Sequence, residues 1–136
     1  VPMVHTLSLE FGDLDLQRAE MTLPDQQAYH NHVGGPHAGA MFTLAESASG
    51  ALVLANFGDR LADATPLAVE ATIRYLKLAM GPVTATARMM RSGEEILAEL
   101  EAGGRPEFLV EIDLATADGT VTGQMTIVWT LKPNKR

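Results

Sequence analysis

The chain has 136 residues, 46% of them hydrophobic and 20% charged, with a formal net charge of -7 and no cysteine. That size and balance suit one soluble domain, spanning residues 1–136, with a core large enough to hold without staples. The lack of cysteine excludes disulfides, thiolate metal sites and a cysteine nucleophile, and the acidic balance argues against a general nucleic-acid surface, which needs a basic footprint.

The first residues, VPMVHTLSLEFGDLD, show no basic start followed by a long apolar run, so no signal peptide is read there and a cytoplasmic location is expected. Residues 14–23 read as a strand of mixed polarity closed by Pro24, and a polar loop, DQQAYHNHVGGPH, follows. A helix is expected from Ala38 to about Ala55, its start set by Pro36 and the glycines and its end by Gly58 and Asp59. Between Ala38 and Gly58 the only charged residue is Glu46. The run is apolar enough to raise the question of a membrane span, but a central carboxylate costs ~2.5 kcal/mol or more to insert, and small side chains offset little of that. It is therefore read as a buried helix of a soluble protein.

The second half alternates. Residues 67–79 are rich in β-branched and aromatic side chains, Gly81-Pro82 is a turn, and residues 83–91 alternate again. SGEEILAELEAGG reads as a short helix ending at Gly103. Residues 107–116 put Phe108, Val110, Ile112 and Leu114 on one face, Asp118-Gly119 is a hairpin turn, and residues 121–131 close the sheet before Pro133. The order is one strand, one long helix, then four strands with a small helix inserted. That predicts a two-layer α+β fold, one helix on an antiparallel sheet.

A carboxylate in an apolar helix is desolvated, so its pKa should rise toward the range useful to a general base or nucleophile. Gly34, Gly35 and Gly39 surround the start of the same helix. Backbone N–H groups there can approach a ligand, and a helix N-terminus favours developing negative charge, as on a carbonyl oxygen under attack. Serine-nucleophile, dinucleotide and Walker patterns are absent from the chain. His30, His32 and His37 are read either as polar loop residues or as metal ligands, though H-x-H-x4-H with one Glu matches no familiar site geometry.

Asn31, His37-Ala38-Gly39 and Leu44-Ala45-Glu46, followed by Tyr75-Leu76-Lys77 and Gly81, resemble the motifs of hotdog-fold acyl-CoA thioesterases, in particular the branch typified by the phenylacetate-pathway enzyme. The resemblance implies a long central helix wrapped by a curved antiparallel sheet, a homodimer or homotetramer, and active sites between subunits. No cofactor and no metal are expected. The resemblance places Glu46 as the catalytic carboxylate, acting as general base on water or as nucleophile. Ala38 then supplies the N–H that polarises the thioester carbonyl, with Gly39 as the next candidate, His37 belongs to the same motif, and Asn31 positions water or substrate. The chain departs from the pattern in carrying Glu at 46, Ala at 38, and Ala68 where relatives often have Ser or Thr; Thr65 or Thr72 could substitute. The acyl pocket is expected to use Met41 and Phe42 with Met89 or Met90, and the anionic coenzyme A to meet Arg88, Arg91 or Arg105. Two other readings share the fold: a β-hydroxyacyl thioester dehydratase using His32 and Glu46, with Gly35-Pro36 in its loop, and a non-catalytic acyl-binding module.

Overall fold

In the computed structural model, which describes residues 1–135, the elements are helix α1 (Pro2–Thr6), strands β1 (Glu10–Leu14) and β2 (Arg18–Leu23), the long helix α2 (Ala38–Phe57), strands β3 (Ala64–Tyr75) and β4 (Val83–Met89), helix α3 (Gly93–Glu101), and strands β5 (Glu107–Thr116) and β6 (Val121–Pro133). The six strands form one antiparallel sheet in the order β1-β2-β4-β5-β6-β3.

Strand side chains alternate between faces, and one face of this sheet is apolar. Ala19, Met21 and Leu23 of β2, Ala85 and Ala87 of β4, and Val110, Ile112 and Leu114 of β5 are all buried, and α2 packs on these three strands. It presents Leu44, Ala48 and Leu52, one stripe at helical spacing, with Ala45 beside it, all at 0% exposure. Alanines on both sides of the contact leave room for the helix to lie close to the sheet. Phe57 meets Phe108 edge to face, centroids 5.5 Å apart, and anchors the far end of α2. By length and composition α2 could cross a membrane, yet its inner face is this packed surface.

Several elements differ from the sequence reading; β4 ends at Met89, two residues short of the expected Arg91, and β6 runs on to Pro133. The strand expected over residues 14–23 is two strands, because Asp15 Oδ1 accepts from the N–H groups of Gln17 (2.7 Å) and Arg18 (2.8 Å) and turns the chain between them. The strand expected over residues 67–79 begins earlier, at Ala64, and ends at Tyr75. Pro66 hides that start, since proline lacks an N–H, but β3 is an edge strand where the missing donor is tolerated. The long helix runs to Phe57. Helix α1 has no counterpart in the sequence reading; Pro2 sits in its first turn and its single turn is too short for a clear period. The small helix forms as expected, with Ser92 Oγ accepting from the Glu95 N–H (3.2 Å).

Among the described residues strand β3 pairs only with β6, and its other edge is open. It is long and carries exposed apolar residues, Leu67 at 41% and Val69 at 49%. The register slips between Ala68 and Glu70, which makes Val69 the extra residue of a bulge.

Candidate active site

The loop before α2 is built by Asn31. Its Oδ1 accepts from the N–H groups of Val33 (3.0 Å) and Gly35 (3.1 Å), and its Nδ2 donates to the Pro36 carbonyl (3.3 Å). Both ends of the amide are thus committed to the loop. The two glycines meet different demands. Gly34 has φ +80°, which L side chains rarely adopt, whereas a Cβ on Gly35 would lie 2.4 Å from the Ala79 carbonyl oxygen.

At the helix start the His37 Nδ1 accepts from the Gly39 N–H at 2.8 Å. The ring therefore caps α2, and this bond requires Nδ1 to be unprotonated. Gly39 is left with no free donor. The Ala38 N–H, one of the orphan donors of a helix first turn, has no acceptor among the described residues. Ala38 is exposed, and its carbonyl accepts from the Tyr75 hydroxyl at 2.9 Å, which ties the end of β3 to the helix start. Burial raises the pKa of that hydroxyl. Asn31, Ala38, Met41, Tyr75 and Lys77 line a cleft of ≈ 350 Å³ here.

Glu46 lies two turns further on. It is half-buried, and its carboxylate forms no ion pair and no hydrogen bond with the described residues. Burial pushes its pKa up from the ordinary value. Its backbone carbonyl accepts from the Ser49 hydroxyl (2.7 Å), which in turn accepts from Trp129 Nε1 (3.0 Å), so a buried chain of polar groups pins this turn of α2 to β6. Glu46 faces a cavity of ≈ 780 Å³, larger than the first and mostly apolar, with Met21, Leu54, Pro66 and Trp129 in its walls. Residues 38 and 46 are eight apart, roughly 12 Å along a helix rising 1.5 Å per residue. Within one chain the carboxylate and the free N–H therefore open onto different clefts.

The remaining candidates are dispersed. Met41 lines the Ala38 cleft, while Phe42 is half-buried against the core and lines neither cavity. Met89 packs on the core and Met90 is exposed. Arg91 is held by Glu99 (3.2 Å) and the Glu107 carbonyl (3.2 Å) on a separate cleft, Arg88 by Asp113 (3.1 Å), and Arg105 donates to Thr130 (3.4 Å). The Thr65 hydroxyl is committed to Asn134 (2.6 Å), and Thr72 is exposed on β3. His30 pairs with Asp25 at 2.7 Å, His32 is exposed and lines neither cavity, and no group of three or more His, Asp or Glu among the described residues is placed to hold a metal ion. Missing from the sequence reading were Val4 and His5 of α1 and Gly50 of α2, all on the wall of the Glu46 cavity. Pro2 followed by Val4 and Leu7 at helical spacing was the available signal.

One long helix lying on a curved six-stranded antiparallel sheet defines the hotdog fold, the fold of the structurally similar thioesterases. The chain belongs to the family described as a domain of unknown function, DUF4442, whose model matches residues 1–131. It is similar to a Pseudomonas aeruginosa protein of unknown function described as a probable thioesterase, at 28% identity and TM-score 0.87, over 98% of this chain and 89% of that one. A second Pseudomonas aeruginosa structure, of a thioesterase variant, matches at 20% identity and TM-score 0.80, over 97% and 86%. A thioesterase variant from Staphylococcus aureus matches at 18% identity and TM-score 0.79, over 98% and 100%. At these last two identities the likeness is one of fold. Among curated proteins, none matches the chain.

Proposed function

We propose that the protein hydrolyses an acyl-CoA thioester to the free acid and coenzyme A, with Glu46 as general base. The observation that carries this reading is Glu46 itself: the sole charge along α2, half-buried, with no cation paired to it among the described residues, on the wall of an apolar cavity. Its carboxylate takes a proton from water as the water oxygen bonds to the thioester carbon. The carbonyl oxygen becomes an oxyanion and is held by a backbone N–H, for which Ala38 is the donor left free at the helix start. Collapse of the tetrahedral intermediate breaks the C–S bond, and the proton held by Glu46 passes to the leaving thiolate. Asn31 acts on this site through the loop it organises, and His37 through the cap that holds the first turn. Release of free thiol from acyl-CoA by the purified protein is the test, and no release from any acyl length refutes the reading.

The rate should fall on the acid side. A general base works deprotonated, and burial raises the pKa of Glu46. The acid limb of kcat/KM should therefore sit above the ~4.3 of a free glutamate. A pH profile flat down to that value would remove Glu46 as the base.

The working unit in this reading is a dimer, or a tetramer of such dimers. Within one chain Glu46 and the Ala38 N–H open onto different clefts, so they do not face one carbonyl. A second copy joined at the open β3 edge supplies the missing half, so that Glu46 meets the N–H of Ala38 of the partner subunit. A long apolar edge strand is also an association liability unless it is paired. Light scattering should report a dimer or larger, and Val69→Lys, which sets a charge on that edge, should give monomers with turnover reduced by about 10²-fold or more, the scale of losing an oxyanion donor. A monomeric wild-type protein with full activity would contradict this.

A further inference from the structure

Gly50 is a residue that packing does not explain. It lies in the middle of α2, where glycine is a poor helix former. Its backbone is not left-handed, and a Cβ added there would meet nothing closer than the Trp129 ring at 3.9 Å. Neither conformation nor close approach requires glycine here, and alanine would favour the helix. What the missing side chain does is leave space. Glu46, Gly50 and Leu54 follow one another at four-residue spacing, so they lie on one stripe of the helix. All three are on the wall of the ≈ 780 Å³ cavity. The stripe is roughly 12 Å long at 1.5 Å rise per residue, with Glu46 at one end and Leu54 at the other. Helix α1 forms another wall through Val4 and His5, and it is held in place by buried Leu7 and Leu9 and by the Tyr29 hydroxyl, which donates to the Thr6 carbonyl at 3.0 Å.

We propose that this cavity holds an unbranched aliphatic acyl chain of medium length, running from Glu46 toward Leu54, and that Gly50 is the specificity-determining residue that keeps its path open. The inference rests on the thioesterase reading and names its substrate class. A volume of this size lies within the ~300–1,000 Å³ usual for small-molecule sites, and an acetyl group would leave most of it empty. Acyl groups ending in a carboxylate are disfavoured, because among the described residues no Lys or Arg lines the cavity and His5 is its one basic side chain. Binding should strengthen by up to about four-fold for each methylene buried along the stripe.

The test compares kcat/KM for acetyl-, hexanoyl-, decanoyl- and succinyl-CoA in the wild type, Gly50→Ala and Gly50→Leu, with thermal melts to confirm folding. Fatty-acid binding to the Glu46→Gln protein, with and without Gly50→Leu, is measured in parallel. Wild-type kcat/KM should rise from acetyl to decanoyl and be low for succinyl. Gly50→Leu should lower the decanoyl-to-acetyl ratio by at least about ten-fold, the loss of two or more methylene contacts, and Gly50→Ala should lower it less. An unchanged ratio in a folded Gly50→Leu protein, or a wild type that prefers acetyl or succinyl, overturns the proposal. If no acyl-CoA is cleaved, the hydrolytic reading fails. Decanoate binding that Gly50→Leu abolishes would then still support the acyl cavity, and absence of decanoate binding would overturn it as well.

Discussion

Glu46→Gln should reduce turnover by about 10²-fold or more while leaving the protein folded. Glutamine keeps the size and hydrogen-bonding capacity of the side chain but can neither take a proton from water nor attack a carbonyl. The fold should not suffer, because the carboxylate makes no ion pair or hydrogen bond with the described residues. Linkage gives the same sign. A folded-state pKa raised by burial means that the group favours the folded state at low pH and loses that contribution as pH rises through the raised value. Above that raised value the ionised carboxylate is unfavourable to folding, and there the variant should melt at or above the wild-type temperature. Near wild-type hydrolysis by the purified variant would defeat the assignment. A lowered melting temperature would show that Glu46 has a structural partner.

Ala38→Pro should cost about 10²–10³-fold in turnover, the scale of losing one oxyanion donor. Few positions allow a backbone N–H to be removed so cleanly. Ala38 is the first residue of α2, where proline is favoured. The preceding His37, at φ -60° and ψ 139°, already has the extended conformation that a following proline demands. The N–H has no acceptor among the described residues, so no internal hydrogen bond is lost. The variant also tests the arrangement between subunits. When Glu46→Gln and Ala38→Pro chains are unfolded together and refolded, half of the dimers are mixed, and each mixed dimer carries one site with both groups intact. Roughly a quarter of wild-type activity should return, given two equivalent sites per dimer. If both groups served a site within one chain, no combination would be intact and no activity would return. Full activity of folded Ala38→Pro by itself would dismiss the N–H as the oxyanion donor.

Much of this protein was legible in the sequence because local patterns carry it. The alternation from residue 107 to 116 and the Asp118-Gly119 turn determined β5 and its hairpin with β6, since side-chain period and turn chemistry are properties of neighbouring residues. The small-residue run with a single charge determined α2 and singled out Glu46 for the same reason. Tertiary structure decided the rest. Asn31, read as a group for water or substrate, spends its amide on the loop, because its partners at Val33, Gly35 and Pro36 converge only once the loop has closed. Arg91 looked available for an anion, but Glu99 of α3 and the Glu107 carbonyl of β5, eight and sixteen residues away, take it in the folded chain. The wall of the Glu46 cavity draws on α1, β2, β3 and β6, which no sequence window contains. Periodicity reports which face of an element is buried; it does not report which distant element covers that face or where the two stand apart and leave a cavity.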